Sequence, residues 1–213
     1  IRSRLDSGNR LVEPFVGSGA VFLNAGFKKH LLADTNPDLI NLYHHVQENG
    51  ADFAKYCQSF FTPENNSEER YYDFRKQFNA TSDIRFKSAL FLYLNRHCYN
   101  GLCRYNSKHE FNTPFGRYKK PYFPTKELDA FHKASKSAKF IHASFVDTMK
   151  KARKGDVVYC DPPYVPLSKT AYFTDYFSGG FAWKEQIELA EWAGKLAKKG
   201  IPVIISNHNT DNT

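Results

Sequence analysis

Apolar residues fall into short solid runs near the two ends of the chain and into helical spacing through its middle. Arg10-Leu-Val-Glu-Pro-Phe-Val16 reads as a short buried strand that runs into a glycine turn, Gly17-Ser18-Gly19, and Ala20 to Asn24 reads as the start of a helix. His30-Leu-Leu-Ala-Asp34 is a second strand. Pro37 stands where a first-turn proline belongs, and Asp38 to Val46 carry helical periodicity. This βαβα opening is the kind that builds a parallel sheet. From about 51 to 97 the pattern is helical, in particular over 67–79 and 84–97, where Phe86, Leu90 and Leu94 form one stripe with Phe91 beside it. Residues 98–124 lose the period and read as a loop able to carry a hairpin, and 126–136 resume a helix. Phe140-Ile141, Val157 to Cys160 and Val203 to Ser206 are further runs of the buried parallel-strand type. A helix at about 183–199 precedes the last of them and ends in Lys198, Lys199 and Gly200, as a helix C-terminus should. The pattern thus predicts an α/β sheet built from both ends of the chain around a helical, then aromatic and basic, insertion.

Composition narrows the setting. The chain has 213 residues and a formal net charge of +8, which favours a polyanionic partner. Aromatic residues make up 16%, and where they mix with basic ones in a loop they can stack on bases while the cations meet phosphates. No apolar run approaches the roughly 20 residues that span a bilayer. Cys57, Cys98, Cys103 and Cys160 form no CxxC pair and read as reduced, mostly buried thiols. No metal site is expected, no secretory leader is visible, and a cytoplasmic location follows as the expectation.

Two places carry chemistry. A strand, a Gly-x-Gly turn and a helix let backbone approach a ligand and aim helix N–H groups at it. The third glycine of the dinucleotide fingerprint is replaced by Phe22, which argues against a pyrophosphate ligand. Asp34, at the end of the second strand, suits a ribose diol and equally suits the start of the next helix. Glu13 lies beside the turn with no role that the sequence settles. The second place is Asp161-Pro162-Pro163-Tyr164, at the carboxyl end of a predicted strand. An exocyclic amine on a base is a poor nucleophile because its lone pair is delocalised into the ring. Two acceptors facing its N–H groups favour tetrahedral nitrogen, and the Asp161 carboxylate and the Pro162 carbonyl can be that pair, in a backbone stiffened by proline. Tyr164 can stack on an extruded base. Alone, the tetrapeptide is also a stiff turn.

In the order Phe15-Val-Gly-Ser-Gly19, then Asp161-Pro-Pro-Tyr164, the chain resembles the alpha group of amino-methyltransferases, and more closely the DNA adenine methyltransferase (Dam) family, which methylates adenine in GATC. The resemblance is carried by Leu11 to Gly19, Phe91-Leu-Tyr-Leu-Asn-Arg96, Tyr99-Asn-Gly-Leu-Cys-Arg-Tyr-Asn106, Pro114 to Pro124 and Ile205-Ser-Asn-His208, and it runs over essentially the whole chain. Cytosine-N4 enzymes usually carry Ser before Pro-Pro-Tyr, which disfavours that substrate. The resemblance implies a Rossmann-like sheet of the S-adenosylmethionine-dependent methyltransferase type with an inserted helical target-recognition region. Residues 1–50 and 137–213 would form the catalytic and cofactor-binding domain, and 51–136 the DNA-recognition domain.

By the same resemblance, S-adenosylmethionine would be held by Phe15, Gly17, Asp34, Ser144, Phe145 and Asp161, with Asp161, Pro162, Pro163 and Tyr164 as the catalytic residues. Double-stranded DNA would be the partner. Arg104 has the donor fork for a guanine edge, and Leu102 and Pro114 could sense a thymine methyl or exclude a wrong base. Tyr99 and Asn100 fit a wedge that fills the stack where adenine leaves. Arg117, Tyr118, Lys119 and Lys120 suit phosphates. No membrane contact is implied, a monomer is compatible with all of this, and the cytoplasmic location would be nucleoid-associated. The family begins with a segment bearing Trp and Gly-Lys that residues 1–10 do not contain, and further strands are expected after His208. The expectation is therefore a fragment curtailed at both ends.

Overall fold

The computed structural model describes residues 5, 8–164 and 181–208. Among them are seven α-helices and five strands: β1 (Arg10–Glu13), α1 (Ala20–Ala25), β2 (His30–Asp34), α2 (Pro37–Gln58), α3 (Glu68–Ala80), α4 (Ile84–His97), α5 (Thr125–Ser135), β3 (Ala138–His142), α6 (Phe145–Met149), β4 (Asp156–Cys160), α7 (Trp183–Lys198) and β5 (Val203–Ile205). The chain parts into two compact units, residues 1–40 with 137–213, and residues 41–136.

In the first unit the strands form one sheet in the order β3-β2-β1-β4-β5, every pairing parallel. This is the parallel α/β sheet that the apolar runs predicted, in the Rossmann-like form that the resemblance implied. The three inner strands are the most buried, and all five residues of β4 are inaccessible. β3 and β5, at the edges, alternate or open to solvent. Asp156 is buried at the start of β4 because Arg10, its register partner on β1, grips both carboxylate oxygens at 3.1 and 2.6 Å. A bidentate pair of this kind satisfies a charge that would otherwise be costly to bury. Val12, Val158, Met149, Leu189 and Leu196 pack the core between sheet and helices. Each fully buried side chain of this size is worth roughly 1.5–3 kcal/mol. Phe22 is buried edge-on against His30 (4.9 Å) and Phe140 (6.2 Å), and so anchors α1 to β2 and β3.

The second unit is helical. α4 is buried from Ser88 to Leu94 without interruption, so it is wrapped on all sides rather than along the single stripe read from its spacing. Asp83 caps it, accepting from the backbone N–H groups of Arg85 and Phe86 at 3.0 and 3.1 Å. Aromatic rings from neighbouring elements converge on it: Phe74 meets Tyr93 at 4.9 Å and Phe78 meets Phe91 at 6.1 Å. α2 runs further than its periodicity indicated, with a kink at Gly50 (φ 41°, ψ −113°). The stretch 98–124 contains a short 3-10 turn at Tyr99–Gly101 and two isolated antiparallel bridges, Cys98 with Phe115 and Tyr105 with Phe111, which make it a hairpin. Cys57, Cys98 and Cys160 are buried and Cys103 is exposed, none in a disulfide. Among the described residues no helix is long and apolar enough to cross a membrane, and no cluster of metal-ligating side chains occurs.

Candidate active site

The strand order reverses direction between β1 and β4, so the loops leaving their carboxyl ends turn apart. A crevice opens there, the usual ligand position in such sheets. It is a cleft of about 690 Å³, a volume in the range of small-molecule sites. Its lining comes from four strand ends: Glu13, Phe15 and Gly17 after β1, Asp34 after β2, Ser144 and Phe145 after β3, and Asp161 to Tyr164 after β4.

The turn after β1 needs its glycines for conformation. Gly17 and Gly19 have φ of 46° and 75°, and Gly19 is the left-handed residue from which α1 starts. A methyl group on Gly17 would touch nothing within 4 Å, so the backbone stays open towards a ligand. Asp34 ties this turn to the next one. Its Oδ2 accepts from the Gly17 N–H at 3.1 Å and its Oδ1 from the Asn36 N–H at 2.9 Å. Asp34 lines the cleft and shapes the start of α2, while Asn36 caps that helix through Asp38 and Leu39. Ser144 is the N-cap of α6, accepting from the Asp147 N–H at 3.1 Å and donating to its carboxylate at 2.9 Å. Phe15 stacks on Phe145 at 5.6 Å, and Phe181 stands edge-on to both at 5.4 and 5.6 Å, which gives the cleft an aromatic wall.

Glu13, Tyr159, Phe181 and Glu185 also line the cleft and were given no role there from sequence. Glu13 is 2% exposed, and its Oε1 has no hydrogen-bond partner among the described residues. Burial pushes its carboxyl up to about 8, against a backbone N–H from Phe22 that favours the charged form and with a smaller push from the Asp161 charge. Phe181 had no signal beyond its place just ahead of a helix. Glu185 reads as a cap, since its carboxylate accepts from the Ala182 N–H at 2.8 Å.

At the end of β4, Asp161 is exposed to the cleft and Pro162 is buried. Ser206 donates a hydrogen bond to Asp161 Oδ1. Gln186 Nε2 donates to the Pro163 carbonyl at 2.8 Å. The Pro162 carbonyl receives no hydrogen bond from the described residues, and Tyr164 is 44% exposed. A carboxylate oxygen and a backbone carbonyl are therefore both present as acceptors at the mouth of the cleft.

The predicted recognition residues lie in the second unit, on the hairpin. Tyr99 and Leu102 are about half exposed, and Arg104, Pro114, Arg117, Tyr118, Lys119 and Lys120 are exposed as well. Asn100 takes a left-handed conformation (φ 53°), and its N–H donates to the Tyr118 hydroxyl at 3.1 Å. The Tyr99 N–H reaches the Pro114 carbonyl at 2.8 Å. Arg104 lies across the hairpin, with Nε on Asn112 Oδ1 at 2.8 Å and Nη2 on the Asn112 carbonyl at 3.2 Å. Arg117 pairs with Glu68 at 3.4 Å in an exposed contact. The residues dispersed over 99–119 are thus gathered onto one loop.

Comparison with known proteins agrees with this geometry. A model of the D12 class N6 adenine-specific DNA methyltransferases matches residues 1–213. The DNA adenine methylase of Vibrio cholerae serotype O1 is 51% identical over 214 residues, which cover all of this chain and 77% of that protein. The DNA adenine methylase of Serratia marcescens is 50% identical over 214 residues, again all of this chain and 79% of its own length. That of Escherichia coli K12 is 51% identical over 210 residues, 99% of this chain and 76% of that protein. With the parallel sheet, the crevice at its carboxyl edge and Asp161-Pro-Pro-Tyr164 at the mouth, these matches establish that the chain belongs to the D12 class of N6 adenine-specific DNA methyltransferases.

Proposed function

We propose that the enzyme transfers the methyl group of S-adenosylmethionine to N6 of adenine in the duplex sequence GATC, with the adenine extruded from the stack. The observation that carries this reading is the pair of acceptors, Asp161 and the Pro162 carbonyl, at the mouth of a cleft of nucleoside size. The residues present fit the cofactor. Phe15 and Phe145 offer an apolar wall, Gly17 leaves open backbone, and Asp34 keeps lone pairs for a ribose beside its two backbone contacts. Ser144 would frame the adenine end. In the floor, Glu13 Oε1 keeps an acceptor that no described residue fills, and a polar group of a bound ligand could meet it. S-adenosylmethionine supplies a methyl group on a positively charged sulfur.

The chain supplies the rest. Asp161 and the Pro162 carbonyl accept the two N–H groups of the target amine and draw the nitrogen towards tetrahedral geometry, so that its lone pair localises. Pro163 stiffens the turn, and Tyr164 stacks on the extruded base. Proximity within the cleft provides much of the acceleration. Residues 51–136 serve as the DNA-recognition domain, and residues 1–50 with 137–213 as the catalytic one. Arg104 reads guanine with the N–H groups that Asn112 leaves open, Leu102 and Pro114 face the thymine methyl, and Tyr99 with Asn100 forms the wedge. Arg117, Tyr118, Lys119 and Lys120 hold phosphates. Action on chromosomal DNA implies a cytoplasmic, nucleoid-associated location.

The test is methylation of a plasmid with labelled S-adenosylmethionine, followed by digestion with nucleases that distinguish methylated from unmethylated GATC. Protection confined to GATC is expected. Asp161→Ala should lose transfer and still bind S-adenosylmethionine by calorimetry. A plasmid left unprotected, with no label entering GATC, would overturn the reading.

A further inference from the structure

Ile205-Ser206-Asn207-His208 enters none of the steps above, yet its last three residues reach three different parts of Asp161-Pro-Pro-Tyr164. The Ser206 hydroxyl donates to Asp161 Oδ1 and lies 3.4 Å from the Tyr159 hydroxyl, which donates to it. Asn207 Nδ2 donates to Gln186 Oε1 at 3.3 Å, and Gln186 Nε2 in turn donates to the Pro163 carbonyl at 2.8 Å. The His208 ring stands edge-on to Tyr164, with centroids 4.7 Å apart. The cause is register. Cys160 and Ile205 are partners on β4 and β5, and the Ser206 N–H donates to the Cys160 carbonyl at 2.9 Å, so two chains leave adjacent parallel strands side by side.

A carboxylate at a strand end turns freely about its two side-chain bonds unless one oxygen is held. A serine hydroxyl has a single proton to give. Asp161 Oδ1 lies much nearer than the Cys160 carbonyl, 3.4 Å away, and takes that proton, while the Tyr159 hydroxyl meets Ser206 Oγ on a lone pair. With Oδ1 held, Oδ2 keeps one direction, which is what an acceptor for a single N–H of the target amine requires. Reacting groups must be held within about 0.5 Å and 10–20° of their productive geometry. We propose that Ser206 is a positioning residue for Asp161, and that the Asn207–Gln186 relay does the same for the Pro162-Pro163 backbone. The inference rests on the reading of Asp161 given above.

The experiment compares Ser206→Ala, Ser206→Thr and Asp161→Ala in methyl transfer to a GATC duplex, with S-adenosylmethionine binding followed by calorimetry and folding by thermal melting. Ser206→Ala should lose roughly 10- to 100-fold in kcat, the scale of a small misplacement, with little change in KM for DNA or in cofactor affinity. Ser206→Thr keeps the hydroxyl on a residue suited to a strand end and should restore most of kcat. Wild-type kcat in Ser206→Ala beside an inactive Asp161→Ala would overturn the positioning role and leave the reading of Asp161 intact. Transfer by Asp161→Ala would overturn that reading itself. A loss in Ser206→Ala that falls on KM and melting temperature together, and that Thr does not rescue, would make Ser206 merely structural and overturn the proposal.

Discussion

At the scale of single residues, burial decides the charge state of Glu13. A carboxyl that ordinarily titrates near 4.5 is held neutral up to about 8, so the folded chain keeps a proton that the unfolded chain has released. Its contribution to stability is fully present below the unfolded value and is lost as pH rises through the folded one. Urea midpoints of the wild type should therefore fall between about pH 5 and pH 8 and level off above. Glu13→Gln keeps the shape without the ionisation and should flatten that slope, gaining on the order of 1 kcal/mol or more at pH 9 relative to its difference at pH 5. Parallel profiles for the two proteins would exclude the assignment. Glu13 also marks where sequence reading stops. The place of Asp161 in the cleft was legible because Asp-Pro-Pro-Tyr follows a buried apolar strand, at the edge where such sheets open a crevice. Glu13 was not, because its role comes from the absence of water around it, which no residue type records.

Among elements, strand β2 and helix α4 begin and end where the apolar pattern does, whereas β1 stops at Glu13, short of the run to Val16, and β3 extends beyond Phe140-Ile141. After α4 only a loop able to carry a hairpin was legible, not what holds its arms in place, and the reason is its construction. Two isolated bridges hold its arms, and much of the rest comes from α3, distant in sequence. Asn79 donates to the Phe111 carbonyl at 3.1 Å and accepts from the Phe111 N–H at 2.9 Å, so one amide side chain serves as a neighbouring strand. Tyr71 and Arg75 donate to the Thr113 carbonyl at 2.8 and 3.1 Å. No local period announces bonds between residues some 30 to 40 positions apart. Asn79→Ala would strip both partners from a buried backbone unit. It should cost about 1–3 kcal/mol in chemical denaturation and speed proteolytic cleavage near residues 105–111. Unchanged cleavage there would mean that the bridges suffice. The kink at Gly50 was equally silent. Beside it lies the His132 ring, far along the chain, which hydrogen-bonds the Val46 carbonyl at 2.7 Å and would stand 2.7 Å from a Cβ added at Gly50.

For the molecule as a whole, the charge of +8 becomes meaningful once the cations are located. Arg117 and Lys119 are exposed on the hairpin, and the ion pair of Arg117 with Glu68 is a solvent-exposed contact of the kind worth little. A phosphate can displace it. Binding to duplex DNA should weaken linearly in log[salt], and Arg117→Ala and Lys119→Ala should each reduce the slope by about 1 without altering the preferred sequence. A slope that stays at the wild-type value in both variants would place their charges off the DNA. The basic balance alone predicted a polyanion, but not which cations meet it, because a side chain's exposure depends on elements that pack far along the chain.

The distribution of thiols has a practical consequence. Burial pushes Cys57 and Cys160 up to about 12 and Cys98 up to about 11, which leaves almost no thiolate at neutral pH and little access to reagents. Of the four thiols Cys103 alone is exposed, between Leu102 and Arg104 on the first arm of the hairpin. A maleimide fluorophore added to the unaltered protein under native conditions should therefore attach at one place, and a change in its emission on adding duplex DNA would report in real time whether DNA reaches the hairpin.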